Sequence, residues 1–104
     1  MFDFQKLEVY KKAKAFHLNC KKIILTRKLD NYVRDQLGRA SFSIPLNIAE
    51  GSGKFSKADR RNYFVTARGS AMECVAIADI LCDEQQISMA EFESLYDQAD
   101  ELSR

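Results

Sequence analysis

The sequence predicts an all-α protein, an antiparallel up-down-up-down four-helix bundle. Three observations carry that prediction. Apolar residues recur at alternating steps of four and three, no segment alternates with period two long enough to make a strand, and the breaks between periodic segments are short. A chain of 104 residues fits a single domain, residues 1–104, built round one core.

The first helix is expected over residues 6–25, because Val9, Ala13, Phe16, Cys20 and Ile23 line one face. Leu29-Asp30-Asn31 breaks the chain before a second helix over 32–50, which the pair Gly51 and Gly53 should end in a left-handed cap. Pro45 lies inside that helix. It removes the bond to the Ser41 carbonyl, and Ser41 and Ser43 are placed to help satisfy the freed backbone. The third helix, 57–84, starts from Ser56 as N-cap with Asp59 three residues on. Phe64, Ala67, Ala71, Cys74, Ala78 and Leu81 form its inner stripe. Ser88 caps a fourth helix over 89–103, with Met89, Phe92, Tyr96, Ala99 and Leu102 turned inward.

Composition excludes several function classes. No apolar run is long enough to span a bilayer, and the N-terminus lacks the basic-then-apolar layout of a secretory signal, so a cytoplasmic, membrane-free protein is expected. Cys20, Cys74 and Cys82 make an odd set without C-x-x-C spacing, which fits reduced, mostly buried thiols. With His17 as the one histidine, neither a metal site nor histidine-based acid–base catalysis is expected, and no cofactor either. His17 falls beside the core stripe and reads as a packed or boundary residue. Gly51-Ser52-Gly53-Lys54 superficially suggests a phosphate loop, but Ile48 stands where its first glycine belongs and Phe55 where its Ser/Thr belongs.

The formal charge is +1, yet it is unevenly spread. Residues 1–28 carry eight Lys/Arg against two Asp/Glu, residues 29–70 seven against four, and residues 71–104 one against nine. Two arrangements are open: the acidic last helix neutralises the basic first one, or the cations stay free for a polyanion. Lys14, Lys21 and Lys28 recur every seven residues, with Lys11 and Lys22 beside them. Lys54, Lys57, Arg60 and Arg61 crowd the start of the third helix, against its dipole. Lys11, Lys14, Lys21, Lys54, Lys57, Arg60 and Arg61 are therefore the candidate nucleic-acid contacts, with Tyr10, Phe55 and Tyr63 as candidate stacking partners. A solvated charged face is the alternative. Leu7, Leu18 and Leu25 lie on the far side of the first helix from its core stripe, where a monomer would not bury them. They are the candidate oligomer interface.

The second helix carries a polar seam. Gln36, Ala40, Ser43, Asn47 and Glu50 follow steps of four and three, and Gly69, Ser70 and Glu73 offer a small, polar counterpart in the third helix, with Gly69 allowing close approach. Gln36, Arg39, Ser43, Asn47, Glu50, Ser70 and Glu73 read as an interhelical hydrogen-bond network. Paired carboxylates in a small active site are the rival reading, but the sequence gives them no cavity.

The pattern Q-x-x-R-A-x-x-S-[IV]-x-x-N-I-A-E-G from Gln36 to Gly51, followed by A-x-G-S-x-x-E from Ala67 to Glu73, resembles the four-helix-bundle family also called the ribosomal-RNA intervening-sequence protein family. A related branch is the accessory variability protein of diversity-generating retroelements. The resemblance, covering roughly Phe2 to Asp83, implies a four-helix protomer, a homopentameric barrel and no enzymatic activity. In the retroelement branch it implies binding of nucleic acid and of a reverse transcriptase through basic surface. Beside the family pattern the fourth helix is short. The expected function is thus a non-catalytic, homo-oligomeric bundle that binds RNA or another nucleic acid. The alternative is a protein-interaction module, for example an accessory subunit docking a reverse transcriptase.

Overall fold

Apolar residues spaced for one helical face bury that face against three neighbours. The structure, a computed structural model, describes residues 2–104. A 3-10 turn at Asp3–Lys6 leads into α1 (Glu8–Thr26), α2 (Asn31–Ser52), α3 (Lys57–Asp83) and α4 (Met89–Leu102). Each helix packs on the two beside it, α1 on α2, α2 on α3, α3 on α4 and α4 on α1. The result is a four-helix bundle of 44 × 22 × 21 Å.

Phe16, Leu37 and Ile44 supply most of the bulk at the centre, and all are at most 1% exposed. The α3 stripe facing them is small (Ala67, Ala71, Cys74, Ala78), which lets the helices approach closely. Cys20 and Cys74 meet in this core as free thiols; the hydrogen bond between them, together with burial, pushes the Cys74 thiol up and keeps it protonated. At one end of the bundle, Leu29 from the α1–α2 loop and Ile87 from the α3–α4 loop fold inward and close it.

Several expectations need correction. Val9 and Phe64 have core spacing yet are 37% and 41% exposed. On α4 the buried positions are Leu95 and Ala99, flanked by half-buried Phe92 and Leu102, while Met89 and Tyr96 face outward. Leu95 and Tyr96 are adjacent, so two apolar stripes overlap on this helix, and packing against α3 selects one of them. The left-handed cap is not at Gly51 or Gly53. Helix α2 runs on to Ser52, and Gly53 has an ordinary φ of −88°. Gly51 is needed for proximity instead, because a Cβ there would sit 2.8 Å from Tyr63 Cβ and 3.4 Å from the Arg60 carbonyl. Gly69 has open space round it and permits no close approach. Positive φ falls on Gln85, at 62°. There Gln86 N–H donates to the Leu81 carbonyl (2.8 Å) and Gln85 N–H to the Cys82 carbonyl (3.0 Å), a Schellman motif without its usual glycine.

Around Pro45, the Ser41 and Ser43 hydroxyls do not turn to the Ser41 carbonyl. Ser41 Oγ shares a 2.8 Å hydrogen bond with His17 Nδ1 and Ser43 Oγ accepts from Ser70 Oγ at 3.0 Å, so both hydroxyls tie α2 to its neighbours.

Candidate nucleic-acid interface

Helices α1 and α4 are joined by polar side chains. Lys12 donates to Glu101, Asn19 Nδ2 to Gln98 Oε1 at 3.1 Å, and Arg27 to Glu91 Oε2 at 2.6 Å and to the Gln86 carbonyl at 3.1 Å. Hydrogen bonding to Glu101 raises the Lys12 ammonium above its ordinary value. The Ser88 backbone N–H, with Arg27 adding to it, holds the Glu91 carboxyl below the usual carboxylate range. The acidic last helix does lie on the basic first one, but among the described residues it engages only Lys12 and Arg27 of the N-terminal cations. The others make no ion pair with it.

A groove of about 900 Å³ lies between the second half of α1 and the first half of α2. The short hairpin connection brings these segments together, so cations far apart in sequence converge. Lys21 of α1, Lys28 of the α1–α2 loop, and Arg34 and Arg39 of α2 line it, against one carboxylate, Asp35. None of the four makes an ion pair among the described residues; Arg34 donates to Asn31 Oδ1 at 2.6 Å. In the same groove the Phe42 ring, 53% exposed, lies 5.3 Å from the His17 ring at 47°. Burial, reinforced by nearby Lys21, lowers the His17 pKa, so the imidazole is held neutral. Because Ser41 is fully buried, the His17–Ser41 pair joins helices and presents no accessible nucleophile.

The seven cations singled out from the sequence do not form one face. Lys21 is in this groove. Lys11 pairs with Glu8 at 3.4 Å, Lys14 sits 5.0 Å over the Tyr10 ring and Lys54 sits 5.3 Å over the Tyr63 ring. Arg60 donates to the Lys54 and Phe55 carbonyls at 3.0 and 2.9 Å, clasping the α2–α3 loop. Lys57, Arg60 and Arg61 line a separate groove at the opposite end of the bundle. Of the stacking candidates, Tyr10 packs on Phe4 at 4.9 Å, Tyr63 is half-buried and Phe55 is fully exposed.

The polar network is smaller than the motif suggested. Asn47 Nδ2 donates to the Ser43 carbonyl and hydroxyl at 2.8 and 2.9 Å, and Ser70 completes it. Gln36, Arg39, Glu50 and Glu73 are exposed and make no side-chain hydrogen bond among the described residues. Arg39 instead lines the basic groove, as does Arg34, which sequence reasoning missed. The signal for both was the hairpin topology, which sets Lys28 in the short α1–α2 loop and Arg34 in the first turn of α2. Leu7, Leu18 and Leu25 are 38%, 61% and 73% exposed, on the face of α1 away from the core. Among the described residues no helix is long and apolar enough to cross a membrane, and no cluster of metal-ligating side chains occurs.

Residues 5–104 match a family model described as 23S rRNA-intervening sequence protein. No curated protein sequence matches the chain. Among solved structures, a protein of unknown function from the S23 ribosomal protein family of Bacteroides thetaiotaomicron is similar, with a TM-score of 0.84 at 23% identity over 91% of both chains. That likeness bears on the fold.

Proposed function

The chain belongs to the 23S rRNA-intervening sequence protein family, and on that premise we propose that it is a non-catalytic bundle binding single-stranded RNA in the α1–α2 groove. The observation that carries this reading is the set of four cations without ion-pair partners round the exposed Phe42 ring and the half-buried His17 beside it. Lys21, Lys28, Arg34 and Arg39 suit a phosphate backbone, and Phe42, braced by His17, offers an unpaired base a stacking surface. A duplex keeps its bases stacked inside and gains only the charge contacts. Lys11 and Lys14 extend the cationic stripe along α1. The exposed Leu7, Leu18 and Leu25 support self-association, for which the family resemblance suggests a pentamer in the cytoplasm. Leu25 also lines the groove, so assembly through this stripe would set the RNA site at a subunit boundary.

Fluorescence anisotropy with a labelled 12-nucleotide single strand tests the reading. Four phosphate contacts to a single strand give a slope near −3 in log affinity against log salt, so going from 50 to 200 mM salt should weaken binding about 50-fold. Phe42→Ala should cost about 1–3 kcal/mol if one base stacks there. Absence of binding at 50 mM salt, or equal affinity for wild type and a Lys28→Glu/Arg39→Glu double variant, overturns the proposal. Sedimentation of wild type beside Leu18→Glu tests self-association separately.

A further inference from the structure

The α1–α2 groove holds one residue that a phosphate-binding surface does not need. Asp35 is the lone carboxylate among its lining side chains, and it is exposed between cations. Arg39 stands one turn on, at the spacing where helical ion pairs form, yet Asp35 makes no ion pair among the described residues. A negative charge left free in this way repels a phosphate backbone and offsets what Lys21, Lys28 and Arg34 gain from it. Asp35, Gly38, Arg39 and Phe42 occupy i, i+3, i+4 and i+7 of α2, one stripe along the helix, and all four line the groove. Packing does not ask for glycine at Gly38. A Cβ there would meet Ile24 Cδ1 at 3.8 Å, an ordinary contact, and alanine would suit the helix better. The bare backbone between Asp35 and Arg39 leaves a planar group room to approach α2.

This stripe offers a donor fork and an acceptor fork one turn apart. The Arg39 guanidinium presents paired N–H donors and the Asp35 carboxylate paired acceptors, on Cβ atoms about 5–6 Å apart. Guanine carries the complementary order along one edge: N7 and O6 accept, then N1–H and N2–H donate. Adenine has a donor, N6, where Arg39 needs an acceptor, and an acceptor, N1, where Asp35 needs a donor. Uracil supplies one acceptor and one donor, half of the set, and cytosine has them reversed. Resting on the RNA reading above, we infer that Asp35 and Arg39 select a guanine in the bound single strand by its N7–O6–N1–N2 edge. Phe42, about 4.5 Å farther along the helix axis than Arg39, stacks the neighbouring base. Arg39 then serves the base, and Lys21, Lys28 and Arg34 serve the phosphates.

The test uses the whole protein and labelled 12-nucleotide strands of uridine, either unbroken or with one central guanosine, adenosine or inosine. Anisotropy at 50 mM salt should show the guanosine strand at least tenfold tighter than the adenosine and uridine strands. Inosine, which lacks the N2 donor, should fall between. Asp35→Asn should bring the guanosine and uridine strands within threefold of each other. It should bind uridine at least as tightly as wild type does, because a repelling charge is gone. Arg39→Lys keeps the charge and loses the fork, so it too should lose the preference and keep its uridine affinity within threefold. Retained uridine binding also shows that both variants are folded. Free 5′-GMP should compete at least a hundredfold more weakly than the guanosine strand. Four results overturn the inference. They are equal affinity of wild type for guanosine and uridine strands, inosine as tight as guanosine, a preference that survives either substitution or falls with uridine binding alike, and 5′-GMP competing as well as the strand. Failure of every strand to bind removes the RNA reading and this inference with it, whereas uridine-strand binding without a guanine preference removes this inference alone.

Discussion

The two ends of the bundle are written with the same apolar spacing and finished differently. At the end that carries the α1–α2 and α3–α4 loops, Leu29 and Ile87 turn in and are 8% and 4% exposed. At the end that carries the α2–α3 loop, Phe55 points fully into solvent and the core-spaced Val9 and Phe64 stay partly open. Periodicity therefore fixes which face of a helix is apolar, whereas the cover for that face depends on the lengths of neighbouring helices and on what the loops fold back.

The largest effect that would break this comparison is a pair of truncations. Phe16→Ala, at the fully buried centre, should destabilise by about 3–5 kcal/mol, and Phe64→Ala, at the open end, by less than about 1.5 kcal/mol. Urea denaturation of both variants checks it; equal losses would mean the open end is covered in solution. Next is Gly51→Ala. Alanine favours a helix by about 1 kcal/mol over glycine, but the Cβ would stand 2.8 Å from Tyr63 Cβ, so a net loss of about 1–3 kcal/mol is expected.

A smaller effect sharpens the account of the polar seam. Asn47→Leu removes the donor to Ser43 and should cost about 1–3 kcal/mol, while Glu73→Leu, on an exposed residue, should stay within about 0.5 kcal/mol. Matched melts of the two proteins decide it. The smallest is a pH effect. The folded protein holds His17 below its unfolded value near 6.5, so the unfolded state binds the proton more readily. Its contribution to stability is complete above that value and declines as pH falls below it toward the folded pKa. Thermal melts from pH 7.5 to 5 should fall less steeply for His17→Asn than for wild type. Glu91, also depressed in the folded state, gives the same sign in a lower window, below its ordinary value of 4.5.

Most of the fold was legible in the sequence because helix propensity, stop signals and 4-3 spacing agree. The bounds of α3, expected at 57–84 and found at Lys57–Asp83, show how well a serine N-cap and a periodic stripe mark a helix. The depth of the polar seam was not legible. Heptad steps put Gln36 and Glu50 on the same side as Ser43 and Asn47, but helix crossing geometry decides which of them meet α3. The candidate site was half legible. Charge runs identified Lys21, but each helix was weighed alone, and the groove exists only where the α1–α2 hairpin sets Lys28 opposite Arg34. Val9 and Phe64 read as core because nothing in their spacing reveals how exposed that end of the bundle is.

Gln85 offers a practical handle. A side chain held at a φ of 62° costs the native state about 1–2 kcal/mol that a residue without Cβ avoids, and this position touches neither groove. Gln85→Gly should therefore raise the melting temperature while leaving both grooves as they are. It would serve as a suppressor background, in which charge-reversed or truncated variants of the α1–α2 groove stay folded long enough for their RNA affinities to be compared.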